Sequence, residues 1–309
     1  MLRHLLRTCS LVMLIALATM PPSVASADEK SASQIRGEVW GLSLPLPIVA
    51  YLARPVGTGP FPLVIMNYGL SFDQQESRFY PPVELRDAAH WFAQRGYAVI
   101  APIGPSSIGG AFDLPERELY TRYFSPVGGC DDPYSLSGAI AWATANNWII
   151  DYMTRERLIT PNKVILAGQS AGGWAAIALS SLNPKSTRAI ITFATSGRVD
   201  GKAENSCASR KLIEAAREFG RTSRIPMLWI HSSNDTYFGP ELSKQVYEAF
   251  TGVGGIAEYH LLPPFGGDGE ALHAISMWTP IVDQFLDKHQ SELGCDRTLK
   301  TCGPLPAAR

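Results

Sequence analysis

Short apolar runs alternate with longer amphipathic stretches along most of the chain, and Pro and Gly separate them. Glu38–Leu44 and Ile48–Arg54 flank the turn Pro45-Leu46-Pro47 and predict an antiparallel pair of strands. Leu63–Asn67, Tyr97–Pro102, Lys163–Ala167, Arg188–Ala194 and Pro226–His231 are brief and mostly apolar, as strands covered on two faces must be, and Ala257–Leu262 predicts one further strand. Between them, Pro82–Arg95, Leu136–Arg157, Gly173–Leu179, a stretch from about Lys211 to Phe219, Glu241–Phe250 and Ile275–His289 predict helices. Strands alternating with helices after an opening antiparallel pair predict an α/β protein built on a mostly parallel, doubly wound sheet. Two segments break the rhythm, 103–134 and 195–210, both irregular. Long connections of this kind are more often functional than idle. They are expected to form a cap over the site, the second reaching as far as residue 222. No repeat, low-complexity tract or linker divides the chain, so residues 28–309 are expected to form one domain.

The first residues change the picture of where the protein works. Arg3 and Arg7 precede an apolar stretch, Leu11 to Ala18, and Ala25-Ser26-Ala27 follows as an A-x-A cleavage site. This is the layout of a secretory signal, and the apolar run is well short of the ~20 residues that span a bilayer. Cleavage before Asp28, export to the periplasm or medium and no stable membrane insertion are expected. Cleavage removes Arg3, Arg7 and no acid, taking the formal charge from −1 to −3. With Lys and Arg scattered, nothing points to a nucleic-acid partner. Four of the five cysteines remain, Cys130, Cys207, Cys295 and Cys302, an even number in an oxidising setting. Of the three connectivities, Cys295–Cys302 with Cys130–Cys207 is favoured. Their spacing is not that of a metal site, and no cofactor motif is present.

Candidate chemistry centres on Gly168-Gln169-Ser170-Ala171-Gly172, which stands between the apolar run Lys163–Ala167 and the small-residue helix Gly173–Leu179. A serine on a strained strand-to-helix turn, with Gly two places before and after it, is the nucleophile elbow. A serine hydroxyl is a weak nucleophile and needs a base, and the base needs an orienting acid. Chain order on such a fold runs Ser, acid, His. Asp235 leaves the end of strand Pro226–His231 through Ser232-Ser233-Asn234 and takes the acid's place. Among six histidines, His4 lies in the signal, His90 in a helix, His231 and His260 in strands, and His289 at the last helix end. His273 alone lies in the loop after the last strand. The oxyanion hole requires two N–H donors worth about 3 kcal/mol each. One is expected from Ala171, directly after the nucleophile. The other is expected from Leu70 in Tyr68-Gly69-Leu70-Ser71, with Tyr68 the alternative.

Gly168-Gln-Ser-Ala-Gly-Gly173, Leu228-Trp-Ile-His-Ser-Ser-Asn-Asp235 and Leu261-Leu-Pro-Pro-Phe-Gly-Gly-Asp-Gly269 together resemble the bacterial dienelactone hydrolase-like group of α/β-hydrolases, over nearly the whole mature chain. The resemblance implies an α/β-hydrolase fold and a Ser-Asp-His hydrolase of carboxylic esters or related acyl compounds, working without cofactor or metal on a small-molecule or oligomeric ester. Two departures stand out. Dienelactone hydrolase proper has a Cys nucleophile where this chain has Ser170. The group commonly writes Asp-Gly-His where this chain has Asp268-Gly269-Glu270, with His three residues later. Either the loop is re-aimed so that His273 Nε2 reaches Ser170 and Nδ1 faces Asp235, leaving Glu270 on the rim, or the base is missing. Besides an ester hydrolase, an exopeptidase, thioesterase or acyltransferase would use the same triad. A non-catalytic binding protein on the same fold would follow from a missing base.

Overall fold

The computed structural model describes residues 35–44, 48–68, 85–103, 136–195 and 207–289. Residues 1–34, the expected turn at 45–47, Leu70, Cys130, Cys295, Cys302 and the stretches 104–135 and 196–206 lie outside the described residues. Eight strands, β1 (Ile35–Leu42), β2 (Ile48–Pro55), β3 (Phe61–Asn67), β4 (Ala98–Ile103), β5 (Ile159–Gln169), β6 (Thr187–Phe193), β7 (Met227–Ser232) and β8 (Ala257–Leu262), form one sheet in the order β1-β2-β4-β3-β5-β6-β7-β8. β1 pairs antiparallel with β2 and β2 with β4, while the other neighbours are parallel. The six helices among the described residues are α1 (Arg86–Ala93), α2 (Leu136–Arg155), α3 (Ala171–Ser180), α4 (Cys207–Thr222), α5 (Pro240–Thr251) and α6 (Ile275–Lys288). The expected doubly wound sheet with its opening antiparallel pair is therefore what the chain builds.

Strand alternation sends successive side chains to opposite faces, and each face has its own core. On one face, Val164 and Leu166 of β5 meet Met153 of α2, Trp174 and Ile177 of α3, Phe219 of α4 and Phe250 of α5. On the other, Ile165 and Ala167 meet Phe92 of α1 and Trp278, Val282 and Phe285 of α6. β5 sits fourth from the β8 edge, so the strand that precedes Ser170 is central and buried. α1 and α6 are further joined by Arg95, which forks onto Asp283 with two bonds of 2.9 Å while its guanidinium lies 3.6 Å over the Trp91 ring.

Among the boundaries that differ from the pattern in the sequence, two have a clear physical reason. β5 begins at Ile159, because Phe61 pairs with Ile159 ahead of the apolar run and carries the exposed Pro161 and Asn162 and the half-buried Lys163 along at the sheet rim. The stretch 207–222 is not cap: α4 spans it from Cys207, and Leu212, Ala216 and Phe219, at helical spacing, are buried in the core against the sheet.

Candidate active site

Ser170 occupies the one-residue hinge between β5 and α3 at φ 51°, ψ −125°, a region that L-residues enter only under constraint, at a cost of about 1–3 kcal/mol. The constraint is visible on both sides. Ser170 N–H donates to Phe193 O of β6 at 3.1 Å, and Ser170 O accepts from Trp174 N–H at 3.0 Å, closing the first turn of α3. A Cβ on Gly168 would stand 2.6 Å from Gly172 O, and one on Gly172 would stand 2.5 Å from Asn67 O and 2.7 Å from Tyr68 O. Only glycine lets strand, helix and the end of β3 come this close, the reason for the G-x-S-x-G spacing. Ser170 itself is half-buried, at the carboxyl end of the sheet where open α/β sheets bind ligands.

The loops that carry Asp235 and His273 arrive at the same end from β7 and β8. Asn234 ties them together: its amide donates to Phe265 O and Gly266 O at 3.2 and 3.1 Å, and its carbonyl accepts from Phe265 N–H at 2.9 Å. Gly269, at φ 76°, lies against the Asp235 backbone, where a Cβ would come within 2.5 Å of Asp235 N. Beyond it, Ala271–His273 form a single 3₁₀ turn whose closing bond is His273 N–H to Glu270 O at 3.2 Å. The buried Trp278 anchors that turn by donating its indole N–H to Leu272 O at 2.8 Å.

Within this frame Nε2 of His273, expected on Ser170, faces Glu270, and the expected pairing of His273 with Asp235 is not formed. His273 Nε2 lies 3.0 Å from Glu270 Oε2, so Glu270 is the imidazole's carboxylate partner and not a bystander on the rim. Asp235 Oδ1 instead accepts the N–H groups of Tyr237 and Phe238 at 2.9 and 3.0 Å, and Oδ2 is buried without a hydrogen-bond partner. Burial pushes the Asp235 carboxyl up to about 6; the Phe238 and Tyr237 N–H groups oppose the rise, and the charges of Glu270 and Asp268 add to it. The unfolded chain releases this proton near 3.8 and the folded one near 6, so stability falls as pH rises through that interval and stays lower above it. The gap is worth on the order of 3 kcal/mol. Asp235→Asn is therefore expected to raise the urea midpoint at pH 8 relative to the unsubstituted protein, the two converging near pH 4. Equal differences at both pH values would contradict the assignment.

The other histidines are poor bases for this site. His231 is fully buried at the end of β7, parallel to Tyr259 with ring centroids 5.5 Å apart, and burial pushes it down to about 3. It is neutral at any working pH and a weak proton acceptor. His90 Nε2 meets Tyr51 OH at 2.9 Å, between β2 and α1. Ala171 opens α3, and its N–H belongs to the first turn, where the helix supplies no acceptor. The second donor expected at Leu70 lies outside the described residues, although Tyr68, the alternative, follows β3 and is buried against the elbow. Two features were missed in the sequence. The Glu270–His273 pair could have been suspected from its spacing of three, and the Asn234 clip from the Asx chemistry of a turn-forming Asn.

No protein-family model and no curated protein matches the sequence. Solved structures do match in three dimensions. A candidate dienelactone hydrolase from Klebsiella pneumoniae subsp. pneumoniae is similar at 18% identity and a TM-score of 0.55, covering 82% of this chain and 98% of that one. A dienelactone hydrolase-like promiscuous phosphotriesterase from metagenomic libraries is similar at 17% identity and a TM-score of 0.53, with coverage of 82% and 98%. Thermogutta terrifontis esterase 2, phosphorylated by paraoxon, is similar at 15% identity and 0.53, with coverage of 82% and 94%. The chain has the α/β-hydrolase fold. In an α/β-hydrolase the turn after the central strand carries the nucleophile, and that is the turn held here by Gly168, Ser170 and Gly172.

Proposed function

We propose that this chain is an exported serine hydrolase that cleaves carboxylic esters through an acyl-enzyme, with Ser170 as nucleophile, His273 as base and a carboxylate behind the base. The observation that carries the reading is the elbow: a serine held at φ 51° by backbone-to-backbone contact through two glycines, at the carboxyl end of a central strand. A protein that merely needed a turn there would use glycine at the strained position too. The similarity in fold to esterases supports the same reading.

In the proposed reaction Ser170 Oγ attacks the acyl carbonyl as its proton passes to His273. The carbonyl pair moves onto oxygen, where the N–H of Ala171 and one from the Tyr68–Leu70 turn receive the charge. Collapse expels the alcohol with that proton, and water repeats the sequence to release the acid. The signal-like N-terminus and the four remaining cysteines motivate export and two disulfides. One experiment on protein recovered from its native host covers this reading. Aryl esters of graded acyl length should be turned over, and the intact mass, before and after reduction, should correspond to cleavage before Asp28 with two disulfides. Absence of turnover across the panel would remove the catalytic reading and leave a binding protein.

A further inference from the structure

The carboxylate that supports the base is open to a sharper assignment, which rests on the serine hydrolase reading. We propose that Glu270, and not Asp235, is the positioning residue for His273. The contact is direct, Oε2 to Nε2 at 3.0 Å, whereas Oδ2 of Asp235 has no hydrogen-bond partner and Oδ1 is committed to two backbone N–H groups.

The local fold builds the contact in. In a 3₁₀ turn the side chains at i and i+3 are nearly eclipsed, and the turn here is closed by His273 N–H on Glu270 O, so the two side chains emerge on one side. Ala271 and Leu272 are buried, and Trp278 grips Leu272 O, which fixes the turn against the core. The two carboxylates also differ in exposure, and a carboxylate taken out of water loses solvation of its charged form. Glu270 has 26% of its side chain exposed, whereas Asp235 is 7% exposed. The rise in the Asp235 carboxyl described above agrees with this difference.

The consequence for chemistry is a choice of nitrogen. With Nε2–H donated to Glu270, Nδ1 carries the lone pair. Nδ1 then takes the proton of Ser170 Oγ as the Oγ–C bond forms, Nε2–H stays in place, and the Glu270 carboxylate steadies the imidazolium. On collapse Nδ1 returns the proton to the leaving alkoxide. Asp235 serves the turn itself, holding Tyr237 and Phe238.

The test compares Glu270→Gln, Glu270→Asp and Asp235→Asn in the mature full-length protein, by steady-state kinetics on one aryl ester, with labelling of Ser170 by a serine phosphonate in unsubstituted protein as the parallel control. Glu270→Gln should lower kcat by about a hundredfold or more with KM within about threefold, because the orienting charge is lost at the transition state. Glu270→Asp, which keeps the charge, should recover part of that loss. Asp235→Asn should stay within about tenfold of the unsubstituted kcat. A near-normal Glu270→Gln beside an Asp235→Asn that loses a hundredfold would overturn the assignment while labelling of Ser170 left the serine hydrolase reading standing. Absence of both labelling and turnover in the unsubstituted protein would overturn that reading, and this proposal with it.

Discussion

Ser170→Ala is expected to abolish ester hydrolysis, by about 10³-fold or more, without loss of the fold. The hydroxyl serves chemistry alone in this account, since the elbow is held by the backbone bonds of Ser170 to Phe193 O and Trp174 N–H and by the glycines, none of which the substitution touches. Alanine inherits the strained φ of 51°, so its thermal midpoint should stay near that of the unsubstituted protein. Ser170→Gly separates the two roles. It is equally inactive, but glycine enters this backbone region without penalty, so a gain of about 1 kcal/mol in stability is expected. Calorimetry alongside an ester assay checks both. An inactive Ser170→Gly that is no more stable than Ser170→Ala would mean that the turn is not strained, and an active Ser170→Ala would end the proposed mechanism.

His273→Ala should be the second large loss, about 10²–10⁴-fold in kcat, the usual worth of a positioned base. Its side chain is 29% exposed and it sits on a turn anchored by Leu272 and Trp278, so folding should be little affected. The alternatives are weak on physical grounds: His231 is pushed down to about 3 by burial, and His90 is engaged with Tyr51. If His273→Ala retained its rate while Glu270→Ala lost it, the carboxylate itself would be the proton acceptor, and the imidazole its support.

The sheet was legible because its strands are buried on both faces, and continuous apolar runs such as Leu63–Asn67 and Met227–His231 have no other stable home. The elbow was legible for a different reason. Its glycines are demanded by contacts of 2.5 to 2.6 Å between backbone atoms and the missing Cβ positions, and such demands leave fixed spacings in a sequence. The start of α4 was not legible. Cys207-Ala208-Ser209-Arg210 has no apolar period, and the helix there is carried by the packing of Leu212, Ala216 and Phe219 further on. Nor was the partner of the imidazole. Chain order pointed to Asp235, and only the three-residue turn Ala271–His273, too short to show any period, brings Glu270 and His273 together. Order along the chain placed the site at one end of the sheet, but the choice between two nearby carboxylates depends on local turn geometry and burial.

The central claim is that Ser170 is an activated nucleophile, and covalent labelling tests it most directly. The protein should react stoichiometrically with a serine-directed aryl phosphonate, lose the proposed ester hydrolysis in step with labelling, and yield a single modified peptide carrying the adduct on Ser170. No adduct, or an adduct on another residue with activity lost in parallel, would contradict it.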